Sequence, residues 1–260
     1  MAISEKVELL GKGLYNDIPD ELTLTALPTS SELDFVGAEE YEKTLIDIIL
    51  PKCIEEKIEF GNLLEIDFQW VCRALRLLNY GPYFTTNTVF CDKCGVSHGE
   101  FRVSLMSIGC KKLPENFKND IVISKDEFID FDEDIHLKLP TIREMLNAQK
   151  DKAFKLSDDT QNIELSRICY MIKSIGPKTD LTPIERKMTL ENKLSAADYI
   201  ILKEKVIELT DYGLRAGGLA QCPKCADMEA TFIALMDDKF FRPTLGDLHA
   251  WKADRNSGKK

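Results

Sequence analysis

Cys91-Asp92-Lys93-Cys94 and Cys222-Pro223-Lys224-Cys225 are two Cys-x-x-Cys knuckles, and the fold turns on whether they meet. Together they supply the four thiolates that a tetrahedral structural zinc takes. They lie 128 residues apart, so one shared ion would tie the middle of the chain to its end. Their surroundings repeat. A helical run closing on Leu78-Asn79-Tyr80-Gly81 precedes the first knuckle, and one closing on Thr210-Asp211-Tyr212-Gly213 precedes the second. Phe101 follows Cys94 by the same step as Phe232 follows Cys225. Helix, Tyr-Gly turn, knuckle and apolar strand thus occur twice. Two copies do not make a solenoid; they suit a pseudo-symmetric pair sharing one metal.

Two other readings of these cysteines stand beside that one. A redox-active pair needs its first Cys at a helix N-terminus with a lowered pKa. Gly95 follows one knuckle and Ala226-Asp227 the other, and neither opens a helical period. The remaining reading is four unligated thiols. His98 is a possible substitute ligand, although a His just past a knuckle ordinarily faces solvent. Cys53, Cys72, Cys110 and Cys169 sit in apolar or helical runs and read as small buried hydrophobes.

The chain has 260 residues and 44% apolar content, ample for a sizeable core. Its formal net charge of −10 disfavours a phosphate-backbone binder. Residues 1–10 contain Glu5 and Glu8 and lack an apolar h-region, so no targeting segment is expected. No run approaches the ~20 apolar residues of a membrane span. Eight cysteines without a secretory signal point to a reducing cytoplasm.

The expected fold is α+β: a mostly helical body with short antiparallel strands and a four-Cys, zinc-clasped β-ribbon built from the distant knuckles. Residues 1–13 read as an N-terminal arm. Residues 14–251 read as a single α+β domain with the ribbon at 83–106 and 218–236, and residues 252–260 as a disordered tail. Alternation over Glu21 to Leu27 predicts a half-buried strand. Helical spacing predicts helices over Ala38 to Leu50, bounded by Pro51, and over Asn62 to Asn79. Ile121 to Ile123 and Ile135 to Leu139 read as strands. Thr141, Thr182 and Ser195 read as helix starts, with Pro183 at a first helical turn. Asn162 to Ser174 reads as one helix, Gly217-Gly218 as a break, and Glu229 to Met236 as the return strand. The acidic run from Asp126 to Asp134 lacks the Gly of a calcium loop and reads as a solvated loop. Phe240 and Phe241 cannot both face inward on one strand, because successive side chains alternate. One of them, with Arg242 and Trp251, is therefore a candidate partner contact.

Catalytic sets are missing. There is no phosphate loop and no nucleophile elbow. The three histidines, His98, His136 and His249, fit no H-E-x-x-H pattern. A four-Cys zinc has no open position for water, so a non-enzymatic protein is expected. A zinc-ribbon nucleic-acid binder is the alternative, with Lys93, Arg102 and Lys224 as its only nearby cations.

The order of parts resembles the T-even-type phage baseplate hub assembly, or tail assembly chaperone, proteins. The residues that carry the likeness are Gly13-Leu14-Tyr15, Leu22-Thr23-Leu24, the helix closing on Tyr80-Gly81, both knuckles, Leu139-Pro140-Thr141-Ile142-Arg143 and Phe240-Phe241-Arg242-Pro243. The resemblance implies a role in building the baseplate of a contractile tail in the host cytoplasm, either as a part of the virion or as an assembly factor that does not remain in it. It implies other hub or tape-measure proteins as partners. The chain departs from the family in running on from Thr244 to Lys260 and in carrying Ala226 where Gly is usual.

Overall fold

The first residues are no arm. In a computed structural model, which describes residues 4–28, 30–31, 34, 40–85, 89–91, 93–95, 97–98, 102–156, 160–215, 217–222, 224–225, 228–232, 238–241 and 243–256, they form strand β1 (Ser4–Glu8). It pairs antiparallel with β2 (Glu21–Thr25), Val7 opposite Leu22. Val7, Leu9, Leu22 and Leu24 are all buried, which fixes the register: a slip by one residue would turn each of them out to water.

Helix α1 covers 41–53 in three pieces, α-helical at Tyr41–Thr44, π-helical at Leu45–Ile49 and α-helical again at Leu50–Cys53. Pro51 was expected to end it. Instead the ladder widens just before Pro51, whose ring crowds the carbonyl four residues back and which has no N–H to give. The long helix α2 (Glu65–Tyr80) follows. It lies between two clusters of buried side chains. Phe68, Val71 and Leu75 pack into the first with Leu22, Leu24, Ile49 and Leu50, while Ile66 reaches the second.

Gly81 ends α2 at φ 76° and ψ −172°, a conformation essentially confined to glycine. The chain then enters β3 (Tyr83–Thr85), β4 (Val89–Phe90), β5 (Ser97–His98) and β6 (Arg102–Ser104). β3 pairs with β6 and β4 with β5, so the first knuckle tips a nested antiparallel hairpin. After β7 (Cys110–Lys111) come β8 (Ile121–Ile123) and β9 (Ile135–Leu137). Helix α3 (Ile142–Lys150) starts at a capping box in which Thr141 and Glu144 satisfy each other's backbone N–H.

Helix α4 is Ile163–Met171, shorter than its periodicity suggests. Its continuation, Ile172–Ile175, is strand β10, which completes the three-stranded sheet β10-β9-β8. Ile172, Ser174 and Ile175 are buried there while Lys173 is exposed, so the sheet takes residues whose apolar spacing also fits a helix. Helices α5 (Pro183–Lys193) and α6 (Ala196–Thr210) follow, capped by Thr182 and Ser195. The Asp198 carboxylate accepts N–H bonds from Ile129 at 2.6 Å and Asp130 at 3.2 Å, pinning the acidic run to α6.

Gly213 (φ 91°) repeats what Gly81 does after α2. The chain passes through β11 (Gly213–Leu214), which pairs with β7, into β12 (Gly217–Gln221) and β13 (Met228–Phe232). Gly217-Gly218 is thus no break; it starts a strand and pairs with Phe232 and Thr231. Helix α7 (Leu245–Asn256) closes the chain, so 252–256 are helical rather than tail. The fold is mixed α and β, as expected, and among the described residues no helix is long and apolar enough to cross a membrane.

Candidate metal centre

Each knuckle sits at the end of an antiparallel ribbon. β4 and β5 flank Cys91 and Cys94, and β12 and β13 flank Cys222 and Cys225. The ribbons bring the four sulfurs within 4.8 Å of one another, in the only three-or-more group of His, Cys, Asp and Glu of this kind among the described residues. The short distances run between knuckles: Cys91 Sγ to Cys225 Sγ is 3.6 Å, and Cys94 Sγ to Cys222 Sγ is 3.7 Å.

Those lengths test the fit to a metal. A tetrahedral ion with Zn–S bonds of about 2.3 Å sets its sulfurs about 3.8 Å apart. A disulfide would bring two of them to about 2.0 Å. Two cross-knuckle spacings near the tetrahedral edge, with all four sulfurs inside 4.8 Å, fit the donor set that a thiolate-bound ion takes. Cys91 and Cys222 are buried; Cys94 and Cys225 are half-buried.

At Cys222 the local electrostatics favour thiolate. Burial opposes the charge on Cys222, but the amides of Cys225 and Lys224 and the neighbouring thiols outweigh it, bringing Cys222 down to about 6. Both amides donate to its Sγ at 3.4 Å. The other cysteines go the opposite way. Burial pushes Cys53 and Cys169 up to about 12 and raises Cys72 and Cys110 as well. That contrast sets Cys222 apart from the four packing cysteines. His98 has its backbone in β5, and its side chain lies outside the described residues.

Phe240 and Phe241 are elsewhere than expected. Both are buried, at 0% and 1% exposure, and neither offers a face to a partner. They lie in a 3-10 turn, Asp238–Phe241, not in a strand, so the alternation that would turn one of them outward does not apply. Their rings meet edge to face at 5.1 Å, and Phe240 also packs on Phe84 at 5.8 Å. Arg242 lies outside the described residues. Trp251 is half-buried, and its ring rests against Gly81, filling the space where a Cβ would stand.

Two buried polar groups were missed in the sequence. Asp247 of α7, 1% exposed, accepts from Thr85 Oγ1 at 2.6 Å and from its own cap residue Thr244, and faces Arg102 at 3.4 Å. It ties α7 to β3 and β6 at the foot of the ribbon. Arg76 of α2 is fully buried, donates to the Tyr83 carbonyl at 2.5 Å and lies over the Tyr80 ring. Burial lowers its pKa to about 10, and Asp247 partly offsets this. A polar residue inside an apolar helix stripe was the available hint for Arg76, and the capping pattern Thr244-x-x-Asp247 the one for Asp247.

No family model, curated protein or solved structure matches this chain.

Proposed function

We propose that this chain is a non-enzymatic protein clasped by a structural zinc that acts by binding other proteins, as a component or assembly chaperone of a contractile phage baseplate hub. The observation that carries the zinc is the spacing of Cys91, Cys94, Cys222 and Cys225 at 3.6 and 3.7 Å across the knuckles. Four thiolates fill all four positions of the ion, so its chemistry would be structural: it fixes the two ribbons to each other and leaves no site for an activated water. Zinc closure in small modules contributes roughly 10–16 kcal/mol of folding free energy. The baseplate role rests on the resemblance carried by both knuckles and Phe240-Phe241-Arg242-Pro243. Since Phe240 and Phe241 are core residues, partner binding belongs to other surfaces.

The alternative, nucleic-acid binding through the ribbon, has little support. Arg102 is engaged by Asp247, leaving exposed Lys93 and Lys224 on a chain of −10. Native mass spectrometry should find one zinc per chain. Co-expression with hub and tape-measure proteins should then yield a stable complex. No complex, together with a salt-dependent shift of DNA or RNA, would replace this reading with the alternative.

A further inference from the structure

A groove of about 710 Å³ runs along β1, lined also by Trp70, Ala74 and Leu77 of α2 and by 112–115 and Phe117. We infer that this groove takes a single extended, acidic segment of a partner protein, which pairs as a third strand on the open edge of β1. The inference rests on the reading of the chain as a binder of other proteins and is independent of the metal.

The main chain identifies the occupant. Glu5, Lys6, Val7, Glu8, Leu9 and Leu10 all line the groove. A strand seen face-on would present every second residue, so consecutive lining means that the groove meets its edge. β2 cannot cover that edge, because β1 and β2 form a two-stranded sheet and β1 lies on its outside. On its other side β2 is already bonded, to Ile54 and Glu55.

The register then says which groups are open. The Leu9 N–H donates to the Asp20 carbonyl, which makes Leu9 and Asp20 a hydrogen-bonded pair. Bonded and non-bonded pairs alternate in an antiparallel ladder. With Val7 opposite Leu22 and Glu5 opposite Leu24, those two residues also point at β2. Ser4, Lys6 and Glu8 therefore aim their N–H and C=O away from β2, into the groove, where the Glu8 carbonyl is already taken by Trp70 and a partner strand would pair with Ser4, Lys6 and the Glu8 N–H. The Trp70 indole confirms the direction by donating to the Glu8 carbonyl at 3.2 Å. No described residue takes the N–H or C=O of Lys6. A strand edge of this kind is completed by another strand.

Charge sets the partner's character. Lys6, Lys12, Arg73 and Lys112 line the groove against Glu5, Glu8 and Glu115. The lining carries one more positive than negative side chain, on a molecule of −10. Lys6 and Lys12 are ion-paired within the chain, with Glu21 and Glu8 at 2.7 Å each. Arg73 and Lys112 make no ion pair among the described residues. Charged side chains along β1 guard the edge against indiscriminate pairing, so a complementary acidic strand is admitted where a random one is not. Its alternate side chains would lie on Trp70, Ala74 and Leu77. A second copy of the chain fits worse, since it would set Lys6 against Lys6 across a twofold axis and bring its own β2 against α2.

Lys6→Pro separates the outcomes. Its missing N–H is one that β2 does not use, so the β1–β2 ladder stays intact, and proline is tolerated on an edge strand in that position. Lys6→Ala controls for the lost charge. A library of random twelve-residue peptides is selected on the full chain, and the enriched peptides are made synthetically. We expect extended peptides with alternating apolar residues and net negative charge. They should bind wild type, bind Lys6→Ala somewhat more weakly for its lost charge, bind Lys6→Pro at least about tenfold more weakly than Lys6→Ala, and slow amide exchange at Lys6 and Glu8. Equal binding to Lys6→Pro, or no enriched peptide, overturns the groove and leaves binding of whole partners elsewhere untouched. Dimerisation by sedimentation that Lys6→Pro abolishes would assign the edge to a second copy instead.

Discussion

Asp67 shows what one buried carboxylate does for this chain. It is fully buried in α2, accepts from the Leu10 N–H at 2.5 Å, the Gly11 N–H at 3.1 Å and the Tyr15 hydroxyl at 2.6 Å, and so fastens the turn after β1 to the long helix. Asp67→Ala would leave these donors unpartnered and should cost about 2–4 kcal/mol in urea unfolding. Asp67→Asn keeps one acceptor oxygen and should cost less. The two carboxyl states differ as well. Burial raises the Asp67 pKa above its ordinary 3.8, and the hydrogen bonds from Tyr15, Gly11 and Leu10 only partly offset this. A raised carboxyl pKa means the folded state holds the proton longer than the unfolded one. Its contribution is therefore fully present below 3.8 and is lost as pH rises through the folded value. Wild type should lose stability relative to Asp67→Asn over that interval, with other carboxylates cancelling in the difference. A gap that widens in favour of wild type as pH rises would refute the sign.

At the scale of elements, α7 docks through an absence. Gly81 is at φ 76° with the Trp251 ring directly over it, and Tyr83 and Asp254 bond beside it. Gly81→Ala meets both a left-handed backbone and an occupied space. Gly13, at φ 75° with no atom near its missing Cβ, meets only the first. Gly13→Ala should cost about 1–2 kcal/mol, and Gly81→Ala measurably more, with a red-shifted tryptophan emission as Trp251 is displaced. Equal costs would show that α7 does not press on Gly81. The elements that were legible in the sequence are those with a local chemical start: Thr141 with Glu144, Thr182 with Pro183 and Glu185, and Ser195 with Asp198. The knuckles were legible for the same reason, since ligand spacing is local within each pair. What escaped depended on distant partners. Ile172–Ile175 is a strand because β9 is beside it, Gly217-Gly218 because β13 is. β1 looked like an arm because Glu5, Lys6 and Glu8 are charged, and only Val7 turns inward. Phe240-Phe241 was read with the wrong period, the 3-10 turn allowing both rings inward.

For the whole molecule, the decisive link is between residues 91–94 and 222–225. A clip that closes a loop of this length removes unfolded-chain entropy worth roughly 5 kcal/mol. Four cysteines that merely packed together would each cost about 1 kcal/mol on conversion to Ser, and the costs would add. Ligands of one ion behave differently, because losing any one thiolate gives up most of the site. Cys94→Ser and Cys225→Ser should each lower stability by several kcal/mol, abolish zinc binding, and leave the double variant scarcely worse than either single one. A chelator should reproduce the single variants on wild type and do little to them. Exchange mapping should then show the loss in β12, β13 and α7, which hang on the ribbon. The sheet β8-β9-β10, with its buried Ile123, Ile135 and Leu137, and Ile168 of α4 form a separate cluster and should stay protected. Additive single and double variants, with chelator inert on wild type, would leave the two knuckles as neighbours without an ion.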